Sequence, residues 1–255
     1  ILRETLAMCK SAFADVSFVP GNHDIWVTRG EPWQDSLSKL RAVDALCDEL
    51  GVHRTPHVMG GCVVAPLCAW HHAAFDREPD IEGWTGLSQA SQVISDFYLC
   101  KFPGLSQTDD SVAAALDARN DDSAIAELRM KHPSLPLVTF SHFVPHPSVV
   151  PEKRYLFVPA LAKAVGSTFL ERRVARLQPD VHVFGHTHFG WDATLDGVRY
   201  VQACLAYPRE RRDRLTTVAA VCCPAAAPET CRPCSPFPVA PAPLLLREGG
   251  AFVPR

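Results

Sequence analysis

Three polar strings, each following an apolar run, hold most of the chemistry in this chain: Gly21-Asn22-His23-Asp24, the pair Ser141-His142, and Gly185-His186-Thr187-His188. Imidazole nitrogen combined with amide or carboxylate oxygen suits divalent ions such as Mn, Fe or Zn. Two such ions about 3.5–4 Å apart neutralise the oxygens of a phosphate ester and acidify a water shared between them. Neutral histidine ligands also need an acceptor behind the ring to hold the tautomer. The order of the strings, on successive predicted strand ends, points to metal-assisted hydrolysis of a phosphate ester.

None of the strings carries that reading alone. Asn and Asp are ordinary turn residues, and a lone strand-end histidine such as His142 is commonly structural. His186 and His188 say more, because a period of two in an extended segment turns both rings to one side. All three in this order reinforce one another.

The elements that must position these groups follow from periodicity. Residues 1–14 carry a helical pattern (Leu2, Leu6, Met8, Cys9), and the run from Val16 to Val19 reads as a strand broken by Pro20-Gly21. Leu37, Leu40, Val43, Leu46, Cys47 and Leu50 recur at helical spacing, with Gly51 closing that helix. Residues 58–67, interrupted by Gly60-Gly61, read as a hairpin. Between His71 and His132 the pattern loosens. Residues 88–98 and 110–130 read as helices there, and the stretch is too long for a simple crossover, which predicts an inserted cap or lobe.

Regularity then returns. Residues 137–140 read as a buried strand ending at Ser141-His142, 167–177 as a helix, and 181–184 as a strand ending at Gly185. Asp196-Gly197, between 192–195 and 198–203, is the strongest hairpin signal in the chain. Strand, helix, strand with candidate ligands at the strand ends predicts a layered α/β architecture with its site at the carboxyl edge of the sheet.

Composition bounds the rest. The 255 residues, 47% hydrophobic and 21% charged, fit one large α/β domain or two small ones. A net charge of −3 provides no basic face for nucleic acid, so an anionic substrate must be held by local cations or metals. No apolar run reaches the roughly 18 residues of a membrane span, so no membrane partner is expected. A soluble intracellular protein is favoured, with oligomeric state left open. Of ten cysteines, Cys9, Cys47, Cys62, Cys68 and Cys100 stand among apolar residues and read as small buried hydrophobes. Cys222, Cys223, Cys231 and Cys234 lie in an Ala/Pro-rich tail with nothing to orient them as a zinc knuckle. The expected organisation is one functional domain over 1–215 with a cap-like insertion at about 71–132, a disordered insertion at 216–243, and a terminal hairpin within 244–255.

Gly-Asn-His-Asp, an isolated strand-end histidine and Gly-His-Thr-His, in that order, resemble the last three of the five motifs of calcineurin-like metallophosphoesterases, over about residues 16–212. The resemblance implies an αββα-type layered sandwich, two divalent metal ions (Mn, Fe, Zn or Mg) as cofactors, and a phosphate-ester substrate hydrolysed by a hydroxide activated between them. It implies that Asn22, His142 and His186 ligate one metal and His188 the other. His23 would face the phosphate, stabilising the transition state or protonating the leaving oxygen, with Asp24 holding its ring.

The family's first two motifs, Asp-x-His and Gly-Asp-x-x-Asp, have no counterpart here. No Gly-Asp pair occurs, and Asp180-Val181-His182 lies at the start of its strand, roughly 16 Å from the ligand end at about 3.3 Å per residue. With Ile1 opening in what reads as the middle of a helix, the sequence is expected to be truncated, its first strands missing. Such a chain binds metal weakly and turns over little. The alternative is a non-catalytic binding or scaffold protein of the same fold.

Other candidates read as structural. His71-His72 could approach the cleft, but adjacent side chains point apart, which favours structural or surface roles. Residues 207–212, Tyr-Pro-Arg-Glu-Arg-Arg, read as a solvated turn, or else bring a cation to the phosphate. Phe189 and Trp191 either wall the pocket or belong to the core.

Overall fold

A computed structural model describes residues 1–83, 88–156, 158–203, 207 and 210, with the backbone of 246–248 and 251–253. Helix α1 (Leu2–Ala12) leads to the turn at residues 21–25, and α2 (Ser36–Leu50) follows. Asp35 caps α2 through its carboxylate and Ser38 N–H, and Ser38 Oγ answers to the cap backbone, as a capping box does. Hairpin strands β1 (His57–Met59) and β2 (Cys62–Pro66) come next. Four short helices then precede β3 (Leu137–Phe140): α3 (Ala90–Val93), α4 (Asp96–Leu99), α5 (Ser111–Asp117) and α6 (Asp122–Lys131). Helix α7 (Thr168–Leu177) joins β3 to β4 (Val181–Val183), and the hairpin of β5 (Trp191–Leu195) and β6 (Val198–Gln202) completes the sheet. Strands β7 (Leu246–Glu248) and β8 (Ala251–Val253) pair antiparallel as a separate ladder.

The main sheet has six strands in the order β1-β2-β3-β4-β6-β5, parallel from β2 through β3 and β4 to β6, with an antiparallel strand at each edge. This is the α/β class that the alternation of patterns predicts. Every residue of β2 is buried, which is why it reads as an unbroken apolar run, as interior parallel strands do. At the β5–β6 turn, Asp196 and Gly197 both take positive φ (50° and 85°), the backbone that an Asp-Gly two-residue hairpin selects.

One core unites the sheet with the helices: Val63, Ala65 and Leu137 pack with Val112, Ala113 and Leu116 of α5, Ile125 of α6, and Leu170, Val174 and Leu177 of α7. A smaller cluster of Leu6, Val43, Cys47 and Val52 joins α1 to α2. The segment read as a cap thus supplies Phe75, Cys100, Phe102 and the α5–α6 face to the main core. Arg173 on α7, its side chain 8% exposed, clasps Asp117 of α5 at 2.8 Å and also pairs with Asp122 of α6.

Several elements differ from expectation. Residues 16–19 form a single parallel bridge, Ser17 with His53, rather than a strand; the ladder there is Phe18 N–H to His53 O and His53 N–H to Val16 O, and Pro20 has no N–H to extend it. The helix expected over 110–130 breaks after Asp117, because Asn120 turns its amide onto both backbone groups of Cys68 and Asp121 caps α6 through Ala124 N–H. The 88–98 helix splits into α3 and α4. Residues 216–243 and their cysteines lie outside the described residues. Among the described residues no helix is long and apolar enough to cross a membrane.

Candidate metal centre

Strands β3 and β4 are parallel neighbours, and their hydrogen bonding continues past the strand ends. Ser141 N–H donates to Val183 O (2.9 Å) and Gly185 N–H to His142 O (3.0 Å), which sets His142 beside His186. The turn at 21–25 brings Asn22 to the same edge. Gly21 is the close-approach point: a β-carbon there would stand 2.6 Å from His142 Nδ1. Only glycine allows the ring to lie so near the chain.

Three donor atoms meet as a result. His142 Nε2 lies 2.9 Å from Asn22 Oδ1 and 3.1 Å from His186 Nδ1. At metal–ligand distances of about 2.1 Å, neighbouring ligands of an octahedral ion are about 3 Å apart, so this spacing fits shared coordination of one cation. The ring of His186 is fixed from behind, since its Nε2–H donates to Ala164 O at 3.0 Å and leaves the Nδ1 lone pair facing His142. Both imidazoles are held neutral, as ligands must be. Burial first, then His186 nearby, pushes the pKa of His142 well below the usual histidine range, and burial followed by His71 brings His186 down to about 4. Among the described residues no group of three or more His, Cys, Asp or Glu side chains is assembled to hold a metal ion. The donor set here is two imidazoles and an amide.

His186 and His188 do not lie in an extended segment, so the period-of-two argument for this pair is corrected. Both occupy the left-handed region, at φ 73° and 58°, and Thr187 N–H reaches back to Gly185 O at 2.9 Å across His186. Such an i to i+2 turn at positive φ is strained for any residue with a β-carbon. The strained turn, not strand alternation, puts both rings on one cavity. His188 is oriented by Glu210, whose Oε2 accepts from Nδ1 at 2.9 Å, leaving Nε2 to carry the lone pair. Within residues 207–212, then, the described contacts to the site are an acid holding a histidine and the Tyr207 ring, edge-on to His188 at 5.0 Å between centroids; the arginines there lie outside the described residues.

His23 is exposed and packs on Trp26, ring centroids 3.8 Å apart. The Asp24 carboxylate does not hold that ring: it accepts Gly21 N–H at 2.8 Å. Burial pushes Asp24 above the usual carboxylate range, partly offset by that Gly21 bond.

Asp96, on α4, escapes sequence reasoning altogether. It is fully buried, and its carboxylate accepts from Asn22 Nδ2 (2.8 Å), Trp26 Nε1 (2.6 Å) and His71 Nε2 (3.0 Å). Burial raises its pKa, but the bond from His71, aided by those from Asn22 and Trp26, brings it to about 2, so it is an anion that only accepts. His71 and His72 do point apart, and neither is a surface residue: His72 bonds Asp110 and Thr168. Trp191 is a core residue, and Phe189 contributes its carbonyl to Gln202.

Asn22, His23, Asp24, His142, His186 and His188 all line one cavity of about 320 Å³, together with Gly21 and Tyr207. A larger one, about 520 Å³, bordered by Asp76, Phe97, Gln107 and Lys163, is lined by none of them. In sequence and in fold this chain is similar to a phosphodiester hydrolase. It is 26% identical over 227 residues to the [acyl-carrier-protein] phosphodiesterase PptH of Mycobacterium tuberculosis, a match covering 84% of this chain and 67% of that protein. The crystal structure of phosphopantetheinyl hydrolase (PptH) from that organism aligns with a TM-score of 0.66 at 26% identity, covering 85% of this chain and 78% of the other. No family model matches the chain.

Proposed function

We propose that this chain carries the metal-ligating edge of a metal-dependent phosphodiesterase site, and that the ester it is built for joins a phosphopantetheine-type arm to a carrier protein, the class for which its relative is named. The observation that carries the reading is the meeting of Asn22 Oδ1 and His186 Nδ1 on His142 Nε2. A divalent cation held there supplies Lewis-acid polarisation of the phosphoryl group and an acidified water. The chain's own residues do the rest. Asn22, His142 and His186 present lone pairs, Ala164 O and Asp96 fix the ring and the amide, and His188, steadied by Glu210, faces the cavity as a ligand for a second cation. His23, exposed beside them and seated on Trp26, donates a proton to the leaving oxygen.

Among the described residues the cavity is lined by one carboxylate, Asp24, which accepts Gly21 N–H. With no bridging acid among the described residues, we propose that the chain holds a second cation poorly and turns over little. A non-catalytic binding role is the second reading, favoured by that same shortage of carboxylate.

Isothermal titration of the chain with MnCl₂ or ZnCl₂, alongside Asn22→Ala and His186→Ala, tests the site. The same samples are assayed on bis(p-nitrophenyl) phosphate and on a phosphopantetheinylated carrier protein. Binding of one ion, lost in both variants, with turnover near background, is the expected result. No ion bound, or unaltered binding in both variants, overturns the site; brisk turnover overturns the proposed shortage of ligands.

A further inference from the structure

The carboxylate of Asp96 links the side chains at the two ends of one short turn, Asn22 before it and Trp26 after it. One branch runs to Asn22, whose Nδ2 it accepts at 2.8 Å, so that Oδ1 of the same amide is turned to His142. The other runs to Trp26, whose indole N–H it accepts at 2.6 Å and whose ring carries His23 at 3.8 Å. The third donor is His71, whose Nε2–H faces the carboxylate while its buried Nδ1 has no partner.

The helix that bears Asp96 is itself tied down. Gln107 Nε2 donates to Asp96 O and Cys100 O, at the two ends of α4, each at 3.2 Å. Val27 N–H, in the chain just after the turn, donates to Leu99 O at 2.7 Å. The carboxylate is therefore held in position relative to the Asn22–Trp26 segment by backbone bonds that do not involve its own oxygens.

We propose that Asp96 is a positioning residue that sets two functions at once: the aim of the Asn22 amide at the cation, and, through Trp26, the seat of His23 over the phosphate. Its first branch rests on the metal reading above; the second does not. A buried anion with three donors has one arrangement that satisfies all of them, and this fixes the Asn22 amide against a flip that would present its NH₂ to the cavity. Loss of the anion releases both branches. Loss of the indole N–H releases one.

The test uses two variants of the chain, Asp96→Asn and Trp26→Phe, each checked for an intact thermal transition. In the metal-free protein, NMR reads the Asn22 side-chain NH₂, the Trp26 indole N–H and the His23 ring protons. Asp96→Asn shifts all three, whereas Trp26→Phe shifts His23 and leaves Asn22 in place. Titration with MnCl₂ then weakens about 10- to 100-fold in Asp96→Asn, as for other groups that orient a ligand, and holds within about twofold in Trp26→Phe. Asn22 and His23 resonances unmoved in a folded Asp96→Asn overturn the proposal. Where Asp96→Asn does not fold, unmoved His23 resonances or weakened metal binding in Trp26→Phe overturn it. A wild-type chain that takes up no metal sinks the metal reading instead, and the metal-free resonances still decide whether Asp96 governs both groups.

Discussion

The imidazole of His142 lies over Gly21 with no room for a side chain between them; a β-carbon at position 21 would stand 2.6–2.9 Å from three ring atoms. Gly21→Ala must therefore push the ring away from Asn22 and His186 or shift the turn. The expected outcome is a folded protein whose Mn²⁺ affinity, measured by titration calorimetry, falls about 10- to 100-fold. Unchanged affinity would show that ring and turn move apart without cost.

How much of this was legible in advance differs by residue. Strands β3 and β4, the Asp-Gly hairpin and the three polar strings were readable because each rests on local pattern: an apolar run, a turn dipeptide, a histidine directly after a strand. The meeting of His142 and His186 follows from their places just past two adjacent parallel strands; the approach of Asn22 does not, since it rests on the 21–25 turn. Asp96 was not readable. It occupies the start of a one-turn helix in a stretch with weak periodicity, and its partners lie 74, 70 and 25 positions away. The left-handed turns at His186 and His188 escaped for the opposite reason, since alternate spacing looks the same in a strand and in a strained loop. Nor does spacing reveal that Gly21 N–H donates to the Asp24 carboxylate.

Backbone strain at His186 has a measurable signature. At φ 73°, alanine bears the same penalty as histidine, whereas glycine bears almost none. His186→Gly is expected to be more stable than His186→Ala by about 1 kcal/mol in urea unfolding, though both remove the proposed ligand. Equal stabilities would mean that the turn relaxes when the ring is removed.

Acid sensitivity should trace in part to His182, which is completely buried between Thr139 Oγ1 (2.7 Å) and Ser141 Oγ (3.0 Å). Ser141 Oγ–H is given to Phe143 O, so His182 Nε2–H donates to Ser141 and Nδ1 accepts from Thr139. Burial brings its pKa down to about 3. Below about pH 6.5 the unfolded chain takes up a proton that the folded one refuses until about pH 3, so stability falls as pH falls through that window. Above it the residue contributes no pH dependence. Between pH 7 and pH 4.5 the wild type should lose about 2–3 kcal/mol more than His182→Gln, read from urea midpoints at the two pH values.

The Arg173 clasp makes a third stability prediction. Removing a buried guanidinium leaves Asp117 without its clasp at the meeting of three helices, while Asp122 keeps Arg176. Arg173→Met should cost about 3 kcal/mol and lower the melting temperature by about 10 °C in a calorimetric scan, with the metal site intact. A shift of a degree or less would mean that water replaces the guanidinium without penalty.

The parallel pairing of β3 with β4 bears on ion preference. The backbone spacing beneath His142 and His186 is set by peptide hydrogen bonds, at the roughly 4.8 Å pitch common to all sheets, and side-chain changes leave that spacing as it is. Asn22 alone of the three reaches in from outside that ruler, on a turn held by side chains, Asp24 and Asp96 among them, rather than by a strand ladder. Adaptation toward a larger or smaller cation has to come from the Asn22 side, by moving the jaw that the sheet leaves adjustable.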